Sequence, residues 1–237
     1  MENKASLRVL EWCKSIPILW WIWPLVFVAG GVGGLVQGTR DFFAGFTFPV
    51  LVIGALWVLW SSREQCSPQA WNALIICYII GFTSEWLGVA TGLIFGPYGY
   101  GNLLGPKLMG VPPLIGLNWV ILVWAAYSVQ PSPDHAWLAA LGVVFMDLIL
   151  EPGATALGFW TWQHRPVLGL PWSTLLVAPL QNYAAWGILA WVMIRVLGRK
   201  SLGVPVVMPS RTAIFYTTCM LLYFGILLLG KFMGTFN

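Results

Sequence analysis

Runs of roughly 17 to 25 mostly apolar residues recur along the whole chain, at about 17–36, 42–60, 71–95, 113–130, 134–151, 172–197 and 211–231. Each is long enough to cross the hydrocarbon core of a bilayer as a helix. Lipid offers no partner for backbone N–H and C=O groups, so segments of this kind are helical. The pattern predicts an all-α polytopic membrane bundle of about seven transmembrane helices. Composition agrees: 59% of the residues are hydrophobic, 8% are charged, and 16 of the 237 are tryptophan, which excludes an ordinary soluble domain. No long polar or Ser/Pro-rich stretch divides the chain, so residues 1–237 are expected to form a single integral-membrane domain.

Basic residues decide the orientation of such a bundle. With seven spans, Lys4, Arg8, Lys14, Arg63, Arg195, Arg199, Lys200 and Arg211 fall on one side, and Arg40, Lys107, Arg165 and Lys231 on the other. The positive-inside rule then places the N-terminus in the cytoplasm and the protein in the inner (cell) membrane as a multi-pass chain. The formal charge of +4 is spent on short loops and says nothing of nucleic acid, which is not an expected partner. A basic segment precedes the first apolar run, but no Ala-x-Ala-like site follows it, so a retained first helix is expected. Cys13, Cys66, Cys77 and Cys219 show no CxxC spacing, which points to reduced, structural thiols. Gly30, Gly31, Gly33 and Gly34 read as a close helix contact rather than a break.

Two connections stand out, both on the outer side. "GPYGYGNLLGPKLMGVP" follows the third run and "EPGATALGFWTWQHRPVLGLP" the fifth. Each is rich in glycine and aromatics and closes on G-[VL]-P before the next span. They suggest a faint internal repeat: acid-bearing helix, aromatic-glycine segment, G-[VL]-P, helix.

Acids inside the bilayer are costly, about 2.5–3.5 kcal/mol at its centre, and each needs a reason. Glu85 stands about ten residues from the outer end of the third run, or ~15 Å deep, and is expected to be the deepest acid. It is either a hydrogen-bonded helix contact or a proton donor in a cavity. Asp147 and Glu151 stand four residues apart on one helix face. Either they share a proton in an apolar setting, as general acid catalysis requires, or Pro152 ends the helix and both are hydrated. Asn182, near the middle of the sixth run, is helix-packing glue or a water-positioning amide. The aromatics Trp86, Tyr98, Tyr100, Trp119, Trp160, Trp162 and Trp186 are an interfacial belt or line a slot for an extended apolar ligand and face a developing cation.

Several chemistries lack their residues. His135 and His164 have no metal-ligand spacing, so no metal is expected. There is no G-x-S-x-G, phosphate-cradling glycine loop or H-E-x-x-H. The last run has no lysine within it for a retinal Schiff base. Acids spaced as Asp147 and Glu151 can hold Mg²⁺ on a diphosphate, but only Lys107 and Arg165 stand on that side to meet the phosphates.

The stretches "SEWLGVATGLIFGPYGYGNLLGPKLMGVPPLIGLNW", "MDLILEPGATALGFWTW", "GLP" and "QNYAAWG", in this order across about Thr83 to Trp186, resemble membrane carotenoid-biosynthesis proteins that hydrate acyclic carotenoid ends. That family includes the bacterial gamma-carotene hydratases and the archaeal bisanhydrobacterioruberin hydratases. Aspartate is often the second acid there; Glu151 keeps the carboxylate and lengthens its reach. The resemblance implies addition of water across a terminal isopropylidene double bond of a linear carotenoid, giving a tertiary alcohol without a cofactor. It implies Glu85, Asp147, Glu151 and Asn182 as catalytic groups and the seven aromatics as the substrate wall. The carotenoid would reach the site from the lipid, and other carotenoid-biosynthesis enzymes are conceivable neighbours. Another isoprenoid enzyme of lycopene cyclase or prenyltransferase type, a small transporter and a non-enzymatic carotenoid-binding protein remain alternatives.

Overall fold

The computed structural model describes residues 17–129, 133–163, 176–201 and 204–236. Lys4, Arg8, Cys13, Lys14, His164, Arg165 and the G-L-P at 169–171 lie outside them. The described residues form seven α-helices, α1 (Ile22–Leu35), α2 (Arg40–Ser62), α3 (Pro68–Thr91), α4 (Leu114–Val129), α5 (Ala136–Ala156), α6 (Leu180–Leu197) and α7 (Arg211–Phe232). Two short ribbons complete them: β1 (Tyr98–Tyr100) with β2 (Trp160–Trp162), and β3 (Lys200–Ser201) with β4 (Val204–Pro205).

Four stretches are long and apolar enough to cross a membrane: Arg40–Gln65, Pro68–Thr91, Ala136–Ala156 and Arg211–Phe232. α1 and α4 are apolar but shorter, at 14 and 16 residues. α6 has 18 residues and carries Gln181, Asn182 and Arg195, which lower its hydropathy. Large apolar side chains, among them Leu25, Phe42, Ile53, Ile75, Phe145 and Ile188, cover the outside. Such a surface suits lipid and not water, and the fold is a helical membrane bundle.

Local signals set the helix ends. Ser67 caps α3 by accepting from the Ala70 amide at 3.2 Å, with Pro68 in the first turn. Gly92, at φ +67°, ends the same helix in the left-handed region. Ser210 caps α7 through the Ala213 amide at 3.1 Å. The third helix thus stops at Thr91 rather than at 95, and α6 is described from Leu180, with residues 172–175 of the sixth run lying outside the described residues. Pro152 does not stop the fifth. α5 runs on to Ala156 with the proline inside it, and Thr155 Oγ1 donates back to the Glu151 carbonyl at 2.8 Å.

α4 sits at the centre, with every residue from Trp119 to Ser128 buried. A helix apolar all round has to be enclosed by others, and α4 packs against α3, α5, α6, α7 and α2. α1 lies against α7, and its glycines make that approach possible. A Cβ at Gly31 would press on Ile226 at 3.1 Å, and one at Gly34 on Leu227 at 3.1 Å. Hydroxyls tie one end of the bundle together: Ser62 Oγ and Ser210 Oγ are 2.8 Å apart, and the Ser210 amide donates to Ser128 Oγ at 2.8 Å. At the other end Arg40 donates to the Thr235 carbonyl at 2.6 Å and lies over the Phe236 ring. Arg63 and Arg211 therefore flank one end, and Arg40 and Lys231 the other. That is the partition of basic residues expected from an up-and-down course.

Candidate active site

The two unusual connections meet. β1 and β2 pair antiparallel with Tyr98 opposite Trp162, Gly99 opposite Thr161 and Tyr100 opposite Trp160. The Gly101 amide donates to the Phe159 carbonyl at 2.8 Å and the Gln163 amide to the Pro97 carbonyl at 3.0 Å, extending the ribbon at both ends. Alternation along a strand sends every second side chain to the same face, here Tyr98, Tyr100, Trp160 and Trp162, while Thr161 is exposed. Gly101 is required by this pairing, because a Cβ there would run into the Gly158 carbonyl oxygen.

That aromatic face holds two carboxyl groups. Glu85 Oε2 accepts from the Tyr98 and Tyr100 hydroxyls, the latter at 2.7 Å, and Oε1 accepts from Trp119 Nε1 at 2.9 Å. Glu151 Oε2 accepts from Trp160 Nε1 at 3.1 Å and Trp162 Nε1 at 2.9 Å. Each acid is thus held by alternate aromatics of the strand that follows its own helix, the structural counterpart of the faint repeat. Glu85 is six residues from the end of α3 and Glu151 five from the end of α5, about 9 and 8 Å at the helical rise. Glu85 is therefore nearer the end of its helix than its sequence position implied, and Asp147, nine residues from the end of α5, is farther along. Burial, with the Glu85 carboxyl beside them, pushes both tyrosine phenols above their ordinary range, so they stay donors at neutral pH.

Asp147 has a separate attachment. Its Oδ2 accepts from Asn182 Nδ2 at 2.7 Å, while Oδ1 is buried without a partner. No hydrogen bond joins Asp147 to Glu151 among the described residues, although they share a helix face. Asn182 lies in the first turn of α6 rather than mid-helix. Glu85, Asp147, Glu151 and Asn182 are all at most 3% exposed, so neither member of the Asp147/Glu151 pair is hydrated at an interface. No Lys or Arg forms an ion pair with these carboxyls among the described residues. Burial of acids without a counter-ion is costly and makes these carboxyls the candidates for function.

Between the acids is a cavity of about 50 Å³. Glu85, Glu151 and Asn182 face it, with Tyr98, Tyr100, Trp119, Trp160, Trp162 and Trp186 in its wall. Trp119 and Trp186 stack with ring centroids 4.1 Å apart. Two expected residues do not reach it: Asp147 touches it through Asn182, and Trp86 packs elsewhere against the core. His135 is exposed at the start of α5, far in character from a ligand. Among the described residues no group of three or more His, Cys, Asp or Glu is placed to hold a metal. Lys107 donates to the Tyr100 carbonyl at 2.5 Å from an exposed position, so it braces the ribbon instead of facing the cavity.

Sequence reading missed Asn118, which turns toward the cavity one residue before Trp119, and the apolar wall from Leu51, Met220 and Phe224. Asn118 was legible as a polar residue inside an apolar run. The others carry no signal, being three apolar positions among many.

The family profile described as "Carotenoid biosynthesis protein" matches residues 45–235, most of the chain. The chain belongs to this family. The match takes in α2 from residue 45, every later helix, both strands of the aromatic ribbon and all three buried acids. A curated relative, the bisanhydrobacterioruberin hydratase of Haloarcula japonica, is 33% identical over 128 residues, which is 50% of this chain and 41% of that protein. The matched region therefore spans less than half of the relative's length. No solved structure matches the chain.

Proposed function

We propose that this protein is a membrane carotenoid hydratase that adds water across the terminal isopropylidene double bond of an acyclic carotenoid, giving a tertiary alcohol without a cofactor. The observation that carries the reading is two buried carboxyls facing one small cavity, each tethered by the aromatics of one ribbon. Seven spans with a cytoplasmic N-terminus would put this cavity near the outer face of the inner membrane. Neighbouring carotenoid-biosynthesis enzymes would supply the hydrocarbon.

The hydrogen bonds divide the labour. Both indole donors of Glu151 fall on Oε2, leaving Oε1 free of any bond within the described residues. Oε1 is the oxygen that carries the transferable proton. Glu85 has donors on both oxygens, three in all, the arrangement that suits a carboxylate. Glu151 protonates the less substituted alkene carbon, and the positive charge forms on the tertiary carbon. The indoles of Trp119, Trp186, Trp160 and Trp162 face that cation. Water held by the Asn118 and Asn182 amides attacks it, and its surplus proton passes to Glu85. The sum is alkene plus water to alcohol. Transfer of that proton back from Glu85 to Glu151 resets the site. Asp147 does not touch substrate; it fixes the Asn182 amide so that its carbonyl oxygen is directed to water.

A lycopene-type cyclase would begin with the same protonation, and the two amides in the wall favour water capture over ring closure. Expression in a lycopene-producing bacterium tests the choice by mass spectrometry. The expected product is pigment that has gained one water; an isomer of unchanged mass would mean cyclisation, and unchanged pigment would sink both.

A further inference from the structure

The acid cavity is far too small for its proposed substrate. About 50 Å³ is a few times the ~10–15 Å³ of cavity that one water needs, so it admits a chain end and a water but no polyene. The remainder of the hydrocarbon needs a second site continuous with the first.

Such a site lies between α1, α2 and α7. A hollow of about 370 Å³ is lined by Phe27, Gly30, Phe43, Thr47, Val50 and Tyr223 together with Leu51. Phe42 and Phe46 form its lip and are exposed on the outside of the bundle, 63% and 52% respectively, so it opens to lipid. Phe43, Thr47, Val50 and Leu51 follow one face of α2, descending about 12 Å at the helical rise from the lip to the core. The polar atoms in the wall, Thr47 Oγ1 and the Tyr223 hydroxyl, satisfy one another at 3.3 Å, leaving an apolar lining. Leu51, 3% exposed, also lines the acid cavity. The Leu51 side chain is thus common to the walls of the lipid-facing hollow and the acid cavity. Two other hollows on the outside, around Trp57 and Trp60 and around Phe48 and Tyr78, share no residue with the acid cavity.

We infer that the α1/α2/α7 hollow binds the polyene chain of the substrate, with Leu51 as the threshold across which its reactive end passes to Glu151. This rests on the hydratase reading for the reaction but not for the binding. Gly30 makes the floor. A Cβ there would meet the Tyr223 ring at 3.4 Å, ordinary contact, so the backbone tolerates a larger residue that fills the space. Replacing a helix-interior glycine also favours the helix.

The test uses full-length protein made in a lycopene-producing bacterium and purified in detergent, reading pigment per protein by visible absorbance. The Glu151→Gln variant traps unreacted lycopene and is expected to purify coloured. Adding Gly30→Leu or Val50→Trp should remove the colour, whereas Leu56→Trp, on another face of α2 and 55% exposed, should leave it. Retained colour in both groove variants means that the pigment is held elsewhere and overturns the inference. So does the absence of pigment from both wild type and Glu151→Gln. Colour lost in the groove variants, with no hydrated product from wild type, would refute the hydratase reading and leave the groove standing.

Discussion

Replacing each ribbon-held acid by its amide separates their roles. In Glu151→Gln the amide carbonyl can take the place of Oε2 and accept both indole N–H groups, and the NH₂ then faces the cavity where Oε1 stood. Every hydrogen bond survives, so stability should change by less than about 1 kcal/mol. In Glu85→Gln the NH₂ must replace one oxygen, and every oxygen there already has a donor. Either the Trp119 indole loses its acceptor or two phenols have to turn, and a buried unsatisfied donor costs about 1–3 kcal/mol. For a chain of this size, 1 kcal/mol corresponds to about 2–4 °C. Glu85→Gln should therefore lower the melting temperature by about 2–12 °C, and Glu151→Gln by no more than about 4 °C. Both should lose about 10²–10⁴-fold in turnover, the usual contribution of a general acid or base. Thermal unfolding followed by tryptophan fluorescence, with pigment conversion measured on the same preparations, gives both numbers. Equal destabilisation by the two amides, or Glu151→Gln within tenfold of wild type in rate, would refute the assignment of the proton to Glu151 Oε1.

Asn182→Ala strips Asp147 of its one hydrogen-bond partner at 2.7 Å and should cost about 1–3 kcal/mol, read as a lower melting temperature. Asp147→Asn should keep the protein folded while slowing the reaction through a misdirected Asn182. Gly101→Val drives a side chain into the Gly158 carbonyl and should open the ribbon; pigment conversion falling in step with faster amide exchange at 98–101 would confirm it. Burial raises the Tyr98 and Tyr100 phenols above 10.0, so the unfolded chain loses these protons first as pH rises. Stability from them is intact below about pH 10 and declines above it. A Tyr98→Phe, Tyr100→Phe double variant should unfold with a shallower alkaline slope; an unchanged slope would show that other groups set it.

The apolar runs announced the helices and their approximate limits, because a bilayer admits few ways to satisfy a backbone; four stretches are long and apolar enough to cross it. The buried acids were legible for a similar reason: Glu85, Asp147 and Glu151 stand out where carboxylates are expensive. Glycine and proline punctuation set the two composed connections apart from ordinary loops, and their shared pattern hinted at a repeat. What the sequence could not determine was partnership. Asp147 and Glu151 are four apart on one face and read as a pair, yet hydrogen bonding assigns Asp147 to Asn182 and Glu151 to Trp160 and Trp162. One of two readings made Pro152 a helix stop, but α5, packed against α6 and α7, runs past it to Ala156. Trp86 read as interfacial belt or substrate wall, and it is absent from the wall of the acid cavity. Leu51 is one apolar residue among many until three helices set it between two cavities. Local chemistry and periodicity fix which residues are buried and in which element; which buried groups touch depends on contacts between separate segments, 35 residues apart for Asp147 and Asn182, and only the packed chain brings those together.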